Sequence, residues 1–589
     1  MRFTKQQGFT ATFALGAVLA GVACGDADSP QPQGYDEFGV SGSQLGVAVP
    51  TCSGGTGGWG TGSPATKTLA LALVDGTSNT VVINAPGGIL TVNGYTCVSS
   101  TGTVLTTTNV TKITIAGSAG NDKVILDTLA GGLGSIVATA GGGVSLTGGG
   151  GVDALMLRGT ASADTYTMGS PASGTDVYAE ITGDKTADIY ATGFTSATVS
   201  LGASNDTFTG NPPTVAANVI SGARFVSTVT ALTPVAAAFP LTVYGGDGND
   251  TLQGGNGDDT IYGGAGDDTF KTAATPDGAD KYFGDANAPT AAAGDTMDYS
   301  LRTLALKVAI GPAPVSPAVY GVADANDGDV AANAGAGEGD DVEYSVENIT
   351  GGSAADTLTG STASNFIKGG AGDDIIQGGA GNASCASDKD TLQGDDGNDV
   401  FDMTPSADCG DVVTGGNGKD TVDYGQRTNA LTITLDENAN DGEGAVTEND
   451  NIKDAEIVFG GQGNDTISGG TGDDELHGGA GTNAADYSER TAALSLTLCA
   501  DANLTGLPAV STGACGDSDG DALLTEADKV TNCSEVYGGT AADTLTGASS
   551  DDTISGGGGD DTMDGAGGSN ICVTDPTVTY TTAPVNCIF

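Results

Sequence analysis

The chain contains one histidine and one tryptophan among its 589 residues. Active sites that need several histidines, such as His-rich zinc centres or Ser-His-Asp triads with an alternative base, are therefore nearly excluded. Basic residues are also scarce, since 19 Lys and Arg stand against 74 Asp and Glu, giving a formal net charge of −55. We expect no nucleic-acid partner for a protein that is this acidic.

Long apolar runs are missing except near the N-terminus. Arg2 and Lys5 precede an apolar stretch at residues 9–23, which is too short for a comfortable membrane span. This pattern predicts a signal peptide at 1–23 and export from a bacterial cell, either into the medium or to the outer surface. Cys24 stands where a lipoprotein would be lipidated, although Gly21 replaces the usual Leu, and ordinary cleavage after Ala23 is the alternative.

The ten cysteines include no C-x-x-C pair, which argues against zinc-ribbon and thioredoxin-like sites. In an oxidising compartment, neighbouring cysteines form plausible local disulfides. The spaced pairs are Cys52/Cys97, Cys385/Cys409, Cys515/Cys533 and Cys572/Cys587.

Helix-forming residues are also few, and residues 66–240 alternate short Val, Ile, Leu and Thr runs with Gly-rich breaks. This region is predicted to be a β-helix with degenerate repeats, after a flexible linker at 24–65. The acidic charge lies mostly beyond it, because residues 241–589 hold 60 acidic and 11 basic residues, a net of −49. Most of these acids are Asp beside Gly, a pattern typical of turns rather than of a solvating tail.

A nine-residue period appears after residue 240. Three copies are contiguous: GGDGNDTLQ at 245–253, GGNGDDTIY at 254–262 and GGAGDDTFK at 263–271. Further copies form three later blocks, and weaker echoes occur at 117–125 and 148–156. The blocks are predicted at 241–300, 351–423, 460–486 and 538–573, with a C-terminal tail at 574–589.

The segments at 301–350, 424–459 and 487–537 separate these blocks and share a second element. Asp-Tyr-x-x-Arg-Thr begins at Asp298, Asp423 and Asp486, and an acidic loop follows each copy. We expect these segments to be strand and loop inserts in an all-β solenoid.

Each nonapeptide divides into a six-residue turn and a short strand. The sixth residue is usually Asp and the eighth is a large apolar residue, as in Asp250 and Leu252. Stacked turns would bring carboxylates together, and like charges ~4 Å apart repel by several kcal/mol at an effective dielectric constant near 20. Because Lys and Arg are too few to neutralise these carboxylates, a metal cation must lie between the carboxylates. A site whose ligands are all oxygen atoms suits Ca²⁺.

The repeat G-G-x-G-x-D-x-U-x resembles the RTX, or hemolysin-type, calcium-binding repeat over roughly 245–573. The resemblance implies a parallel β-roll in which two nonapeptides make one coil, so that Ca²⁺ lies between turns eighteen residues apart. It implies the pairs Asp250/Asp268, Asp356/Asp374 and Asp543/Asp561, and a weaker or empty site where Asp465 meets Asn483. The metal ligands implied in this way are Asp250, Asp259, Asp268, Asp356, Asp374, Asp399, Asp420, Asp465, Asp474, Asp543, Asp552 and Asp561.

Two parts of this assignment stay open. The copy at 378–393 is interrupted, which puts sites at Asp399 and Asp420 in question. The alternative for any block is a repeat that keeps the coil without metal. Asp517, Asp519 and Asp521 alternate like EF-hand ligands, but Ala522 and Asp528 replace the usual Gly and Glu, so a solvated loop is the other possibility.

No catalytic site is predicted. His477 closes a nonapeptide and is expected to be an exposed strand residue. The function predicted is Ca²⁺-coupled folding outside the cell with a structural or interaction role, the metal-free repeats remaining open. The alternatives are a polysaccharide-acting enzyme in 66–240, or a toxin or adhesin that uses the repeats for folding and export. The protein or glycan partner is not specified by the sequence.

Overall fold

The computed structural model describes residues 53–54, 68–73, 78–97, 104–128, 133, 136, 143–171, 177–181, 188–210, 234–235, 239–284, 294–311, 327–329, 339–379, 389–403, 410–436, 438–444, 448–498 and 528–588. The predicted signal peptide, Cys24 and most of the predicted linker lie outside these residues.

The described residues form 46 short strands and one 3-10 turn at Pro86–Gly88. Turns interrupt the chain every few residues, so strands of about three residues are what the repeat can form. Nearly all strand pairs are parallel. Where the nonapeptides of the first block are contiguous, a strand pairs with one eighteen residues later, as in the registers Leu252↔Phe270 and Val243↔Ile261. At the end of the block the spacing grows to 21 residues for Ile261↔Tyr282 and 27 for Phe270↔Met297. The predicted all-β parallel solenoid is confirmed.

Among the described residues the strands belong to five ladders, numbered here by their order along the chain. The first ladder contains Ser53–Gly54, Thr68–Ala72, Lys112–Ala116, Gly143–Thr147, Thr165–Pro171, Val177–Glu180, Ile189–Thr192, Thr207–Thr209, Pro234–Val235, Thr251–Gln253, Thr269–Lys271, Thr296–Asp298, Asn348–Thr350, Phe366–Ala371, Thr391–Asp396, Val412–Asn417 and Asn451–Lys453. The second contains Thr80–Asn84, Thr91–Val92, Tyr95–Thr96, Lys123–Asp127, Ala154–Arg158, Ser196–Ala203, Leu241–Asp247, Thr260–Ala265, Lys281–Phe283 and Asp341–Val342. The third contains Leu306–Ala309, Gly328–Asp329, Thr357–Thr359, Ile375–Gln377, Val400–Asp402, Thr421–Asp423, Ile457–Phe459, Glu475–His477 and Lys529–Thr531. The fourth contains Thr432–Thr434, Thr466–Ser468, Ala484–Asp486, Glu535–Tyr537, Thr553–Ser555, Asn570–Val573 and Cys587–Ile588, and the fifth contains Ser495–Thr497, Thr544–Thr546 and Thr562–Asp564.

The core is a single file of apolar side chains between two ladders. Leu252, Ile261, Phe270, Tyr282 and Met297 come from successive strands, and each is 0% exposed. Because side chains alternate across a strand, a three-residue strand turns its middle residue inward and the other two outward. Burying one side chain of this size contributes roughly 1.5–3 kcal/mol, which makes the eighth position the main apolar contribution of each repeat.

The predicted inserts do more than connect blocks, because each one changes the pair of ladders that forms the solenoid. The strand Leu306–Ala309 starts the third ladder shortly before the second ends at Asp341–Val342. In the same way Thr432–Thr434 starts the fourth ladder before the first ends at Asn451–Lys453. The fifth begins at Ser495–Thr497 before the third ends at Lys529–Thr531. We call these three places face changes.

The N-terminal region forms the same kind of coil. Leu69, Ile113, Val144 and Ile189 follow one another along the first ladder, and all are buried. An antiparallel excursion through Val177–Glu180 joins Thr165–Pro171 to Ile189–Thr192.

Of the predicted disulfides, the structure joins Cys572 to Cys587, whose Cα atoms are 5.5 Å apart. Cys97 and Cys533 are buried, and the partners predicted for them, Cys52 and Cys515, lie outside the described residues. The pair Cys385/Cys409 lies outside them as well. In the part of the chain that the structure describes, no helix has the length and hydropathy of a membrane span.

Candidate metal centre

The sixth residue of each repeat points into the turn and is shielded from solvent. All twelve aspartates that the sequence suggests as ligands are at most 3% exposed. Burying this many carboxylates is unfavourable unless each oxygen finds a hydrogen-bond donor or a cation.

In most of these turns, one oxygen of the carboxylate accepts a backbone N–H from the coil before it. The backbone N–H of Asp250 donates to Oδ1 of Asp268 at 2.7 Å. Asp356 donates in the same way to Asp374 at 2.7 Å, and Asp543 donates to Asp561 at 2.9 Å. The structure therefore brings together the three pairs that the resemblance to RTX repeats implies, and it links them through one carboxylate oxygen.

The interrupted copy at 378–393 does not break this chain of hydrogen bonds. The N–H of Asp374 donates to Oδ1 of Asp399 at 2.8 Å, and Asp399 donates to Asp420 at 2.9 Å. These residues are 25 and 21 positions apart, so the additional residues lie in the connections and leave the stack of turns intact.

The second carboxylate oxygen divides the turns into two kinds. In what we call a closed turn, Oδ2 accepts the N–H of the residue four positions earlier. The first aspartate of each nonapeptide stack has this bond, as in Gly352 to Asp356 at 2.7 Å and Gly539 to Asp543 at 2.9 Å.

In what we call an open turn, the residue four positions before the aspartate has a left-handed backbone. Gly246 has φ of 126° and Gly370 has φ of 110°, and even the non-glycine Asp395 has φ of 73°. Their N–H groups are not bound to Oδ2 of Asp250, Asp374 or Asp399, and these buried oxygens have no hydrogen-bond donor. The same is true of Oδ2 in Asp153, Asp206 and Asp420.

Where the turn begins with glycine, the unpaired oxygen faces a backbone carbonyl. A Cβ added to Gly245 would stand 2.3 Å from Oδ2 of Asp250 and 2.4 Å from the carbonyl oxygen of Gly263 in the next coil. A Cβ on Gly394 would likewise stand 2.1 Å from Oδ2 of Asp399 and 2.6 Å from the carbonyl of Gly415. Two oxygens thus converge on the space that the first glycine leaves, and a hard cation with oxygen ligands fits there.

Burial raises the pKa of these carboxyl groups. Loss of hydration raises the pKa of Asp206, Asp250 and Asp374 to about 7 and that of Asp420 to about 6. The backbone donors at Oδ1 act in the opposite direction and do not compensate. The aspartate of a metal-free open turn is therefore partly protonated at neutral pH.

The carboxylates lie in single file along the stack. Within the described residues, no group of three or more His, Cys, Asp or Glu side chains could hold a metal ion together. A cation at an open turn would therefore take one or two carboxylates and backbone carbonyls for its remaining ligands, which is within the range that Ca²⁺ accepts.

The family model for the RTX calcium-binding nonapeptide repeat (4 copies) matches residues 242–272, 350–384, 387–402, 453–484 and 537–572. The chain carries RTX calcium-binding repeats. These matches contain every aspartate suggested as a ligand except Asp420. A comparison with curated proteins gives no match.

Several RTX-like turns escaped the sequence analysis. The N–H of Asp164 donates to Asp206, and that of Asp206 donates to Asp250, both at 2.7 Å, so the stack continues into the N-terminal region. The segments GTASADTYT at 159–167 and LGASNDTFT at 201–209 lack most of the glycines. They keep Asp-Thr followed by a buried aromatic residue, and that shorter signal could have identified them.

The chain of carboxylates also passes through the face changes. Asp268 donates its N–H to Asp295 at 2.8 Å, Asp259 donates to Asp280 at 2.9 Å, and Asp474 donates to Asp528 at 3.0 Å. None of these three acceptors was suggested from the repeats. Each of these aspartates is followed in sequence by Thr or Lys and then by an apolar residue that points inward.

A second, exposed row of side chains lies at the fifth position of the RTX turns. Oδ1 of Asp373 accepts the N–H of Asn398 at 2.8 Å, and Oδ1 of Asn398 accepts the N–H of Lys419 at 2.9 Å. Asn464 and Thr482 make the same contact at 2.9 Å. This explains why the fifth residue is so often Asp or Asn, a preference that the sequence analysis left without a role.

At the first two face changes, a buried arginine supplies the positive charge, whereas Arg490 at the third is partly buried and donates to the carbonyl oxygen of Gly470. Arg302 is 1% exposed in its side chain and contacts Oδ1 of Asp277 at 2.8 Å, and Arg427, at 0%, contacts Glu448. The neighbouring tyrosine of each Asp-Tyr-x-x-Arg-Thr element binds an acid of the ladder that ends there, as when Tyr424 donates to Asp450 at 2.7 Å.

The acidic loops join strands of two ladders. Asp441 accepts the N–H of Thr434 at 2.6 Å and that of Ile452 at 3.3 Å, and these residues belong to the fourth and first ladders. Asp327 makes the equivalent bonds to Ala309 and Val342. The EF-hand-like residues Asp517, Asp519 and Asp521 lie outside the described residues.

The prediction that His477 is exposed is wrong, because the residue is only 5% exposed. Its ring stacks on Phe459 with centroids 4.4 Å apart, and Nδ1 lies 2.6 Å from Oγ1 of Thr531. The ninth position does point outward, but neighbouring strands of the third ladder cover it here.

Proposed function

We propose that this protein is an exported RTX-repeat solenoid that folds when it binds Ca²⁺ outside the cell, where it has a structural or interaction role. The observation that carries the proposal is the open turn. Asp250, Asp374, Asp399 and Asp420 each bury a carboxylate oxygen that has no hydrogen-bond donor. The Ca²⁺ ligands that this proposal implies are the carboxylates of these open turns and those of the aspartates that stack on them.

The charge distribution supports a cation-dependent fold. Residues 241–589 carry 60 acidic and 11 basic residues. Two of the basic residues, Arg302 and Arg427, are already buried in ion pairs at face changes. The remaining side chains cannot neutralise the stacked carboxylates, so the positive charge must come from solution.

Ca²⁺ would therefore shift the equilibrium between an open and a coiled chain, because it binds the coil and has no preformed site in the open chain. A chain kept at low Ca²⁺ inside the cell stays open, and the higher concentration outside closes the coils. The basic and apolar residues at 1–23 support export by a signal peptide.

A structural role is favoured over a catalytic one by the N-terminal region. A cavity there is lined mostly by apolar side chains that include Leu126, Leu133 and Leu157, with Arg158 among the lining residues. The outward residues Thr114 and Ser145 follow each other on parallel strands, and a coil face lined by small hydroxyl side chains favours the structural role.

The test uses the full chain, freed of metal by a chelator and then titrated with Ca²⁺. We expect far-ultraviolet circular dichroism to show strand gained with Ca²⁺ but not with the same concentration of Mg²⁺. Hydrogen exchange should slow in the strands Thr251–Gln253 and Ile375–Gln377. A spectrum and exchange pattern that do not change with Ca²⁺ would refute the proposal.

A further inference from the structure

Two open turns carry asparagine where the others carry aspartate. Asn483 and Asn570 occupy the sixth position, and they are 0% and 1% exposed. The residues four positions earlier, Gly479 and Ala566, have φ of 79° and 52°, so both turns have the left-handed backbone that defines an open turn.

The asparagine side chain can point in only one direction in these turns. Oδ1 of Asn483 accepts the N–H of Asp465 at 2.9 Å, and Oδ1 of Asn570 accepts that of Asp552 at 2.8 Å. Because the donor in each case is a backbone N–H, the atom that receives it must be the amide oxygen. The amide nitrogen then takes the place that the unpaired Oδ2 has in an aspartate turn.

In that place the nitrogen donates to the carbonyls that face the carboxylate elsewhere. Nδ2 of Asn483 lies 3.3 Å from the carbonyl oxygen of Ala480 in its own turn and 3.2 Å from that of Asn532 in the next coil. Nδ2 of Asn570 lies 2.7 Å from the carbonyl of Gly567 and 3.2 Å from that of Asn586.

The position that a Cβ would have on the first glycine of the turn shows that Nδ2 of the asparagine and Oδ2 of the aspartate occupy the same place. A Cβ on Gly478 would stand 2.8 Å from Nδ2 of Asn483 and 2.4 Å from the Asn532 carbonyl oxygen. The corresponding point at Gly369 lies 2.4 Å from Oδ2 of Asp374 and 2.8 Å from the Gly394 carbonyl oxygen. An N–H donor facing a carbonyl is satisfied, whereas a carboxylate oxygen facing a carbonyl is not.

We propose that Asn483 and Asn570 are internal substitutes for Ca²⁺, so that their two turns need no metal and the solenoid contains both Ca²⁺-dependent and Ca²⁺-independent coils. The inference rests on the proposed function, because it assigns the choice between the two kinds of coil to one side-chain atom. It makes the sixth residue of an open turn the determinant of metal dependence.

The first test converts an asparagine turn into an aspartate turn in the full chain. Asn483→Asp should bind one more Ca²⁺ than wild type by equilibrium dialysis. In chelator, its strand Ala484–Asp486 should exchange amide hydrogens about tenfold faster or more, because a buried acceptor loses its donor, and Ca²⁺ should restore wild-type exchange. Asn464→Asp makes the same chemical change at an exposed fifth position and should alter neither quantity.

The second test runs in the opposite direction and remains decisive if Asn483→Asp does not fold. Asp374→Asn should bind one Ca²⁺ fewer, and in chelator its strand Ile375–Gln377 should exchange more slowly than in wild type. Asp373→Asn is the matched control, since its side chain is exposed. Unchanged exchange in chelator for Asp374→Asn would overturn the inference. If wild type neither binds Ca²⁺ nor changes its exchange with Ca²⁺, the proposed function fails, while the comparison in chelator still decides the role of the amide.

Discussion

Acid should replace Ca²⁺ as the agent that closes the repeats. The pKa of Asp206, Asp250 and Asp374 is about 7 in the folded, metal-free chain, against an ordinary value of 3.8. At pH 8 such a group is about one-tenth protonated in the coil, and at pH 6 it is about nine-tenths protonated. Because the folded pKa is the higher one, the stability that protonation gives is fully present below pH 3.8 and is lost as the pH rises through about 7.

The size of the effect can be expressed in protons. At pH 7 a group with a pKa of about 7 binds about half a proton in the coil and almost none in the open chain. Asp259 and Asp441 also have a pKa of about 7. With the three residues above, closing the metal-free chain at pH 7 should therefore take up roughly two to three protons.

The assay is a pH titration of the full chain in chelator from pH 8 to pH 5, followed by circular dichroism and by a pH indicator at low buffer concentration. We expect more strand and more bound protons at pH 5. Ca²⁺ should bind more weakly as the pH falls, because protons compete for the same oxygens. Asp374→Asn should reduce the proton uptake by about half a proton at pH 7, whereas the exposed control Asp373→Asn should leave it unchanged. A chelated chain with no more strand at pH 5 than at pH 8 would contradict this account.

Three substitutions test the packing of the core, the space beside the first glycine of an open turn, and the ion pair at a face change. Ile261→Ala should lower the free energy of unfolding in Ca²⁺ by about 2–5 kcal/mol, because the side chain is 0% exposed in a single-file core; denaturant unfolding that matches wild type would contradict the packing. Gly245→Ala places a methyl group 2.3 Å from a carboxylate oxygen and should remove one bound Ca²⁺ in a calorimetric titration, whereas Gly444→Ala, with no atom within 4 Å, should bind like wild type. Arg427→Met should lower the stability in Ca²⁺ by about 3–5 kcal/mol, because it leaves Glu448 buried without its cation; an unchanged denaturation midpoint would show that the ion pair is not needed.

The repeat pattern predicted the parts of the structure that depend on local spacing. The inward positions of Leu252 and Phe270 follow from the nine-residue period, and the stacking of Asp250 on Asp268 is what the resemblance to RTX repeats implies. The continuity through Asp399 did not follow, because the length of a connection outside the stack leaves no trace in the period. Which turns are open was also hidden, since the choice depends on the backbone angle of the second residue of the turn, which can be glycine in both kinds, as in the open turn at Gly246 and the closed turn at Gly352.

The face changes depend on contacts that are distant in sequence. Arg427 binds Glu448 and lies 3.7 Å from Glu443, and these acids lie in a loop that folds back after a new strand has formed. Nothing local to the Asp-Tyr-x-x-Arg-Thr element identifies those partners. His477 shows the same limitation, because its outward position is covered by Phe459 from an earlier coil and Thr531 from a later one.

Within a block, the alternation of strands between two ladders limits how the length of this chain can vary. An insertion of eighteen residues inside a block adds one complete coil and leaves every later strand on its own ladder. An insertion of nine between Asp277 and Arg302 would move each later strand to the opposite ladder, so Arg302 would no longer meet Asp277. Gains and losses of repeats within a block should therefore occur in pairs. Single additions should accumulate only outside the stack, as the longer connection before Asp390 already shows.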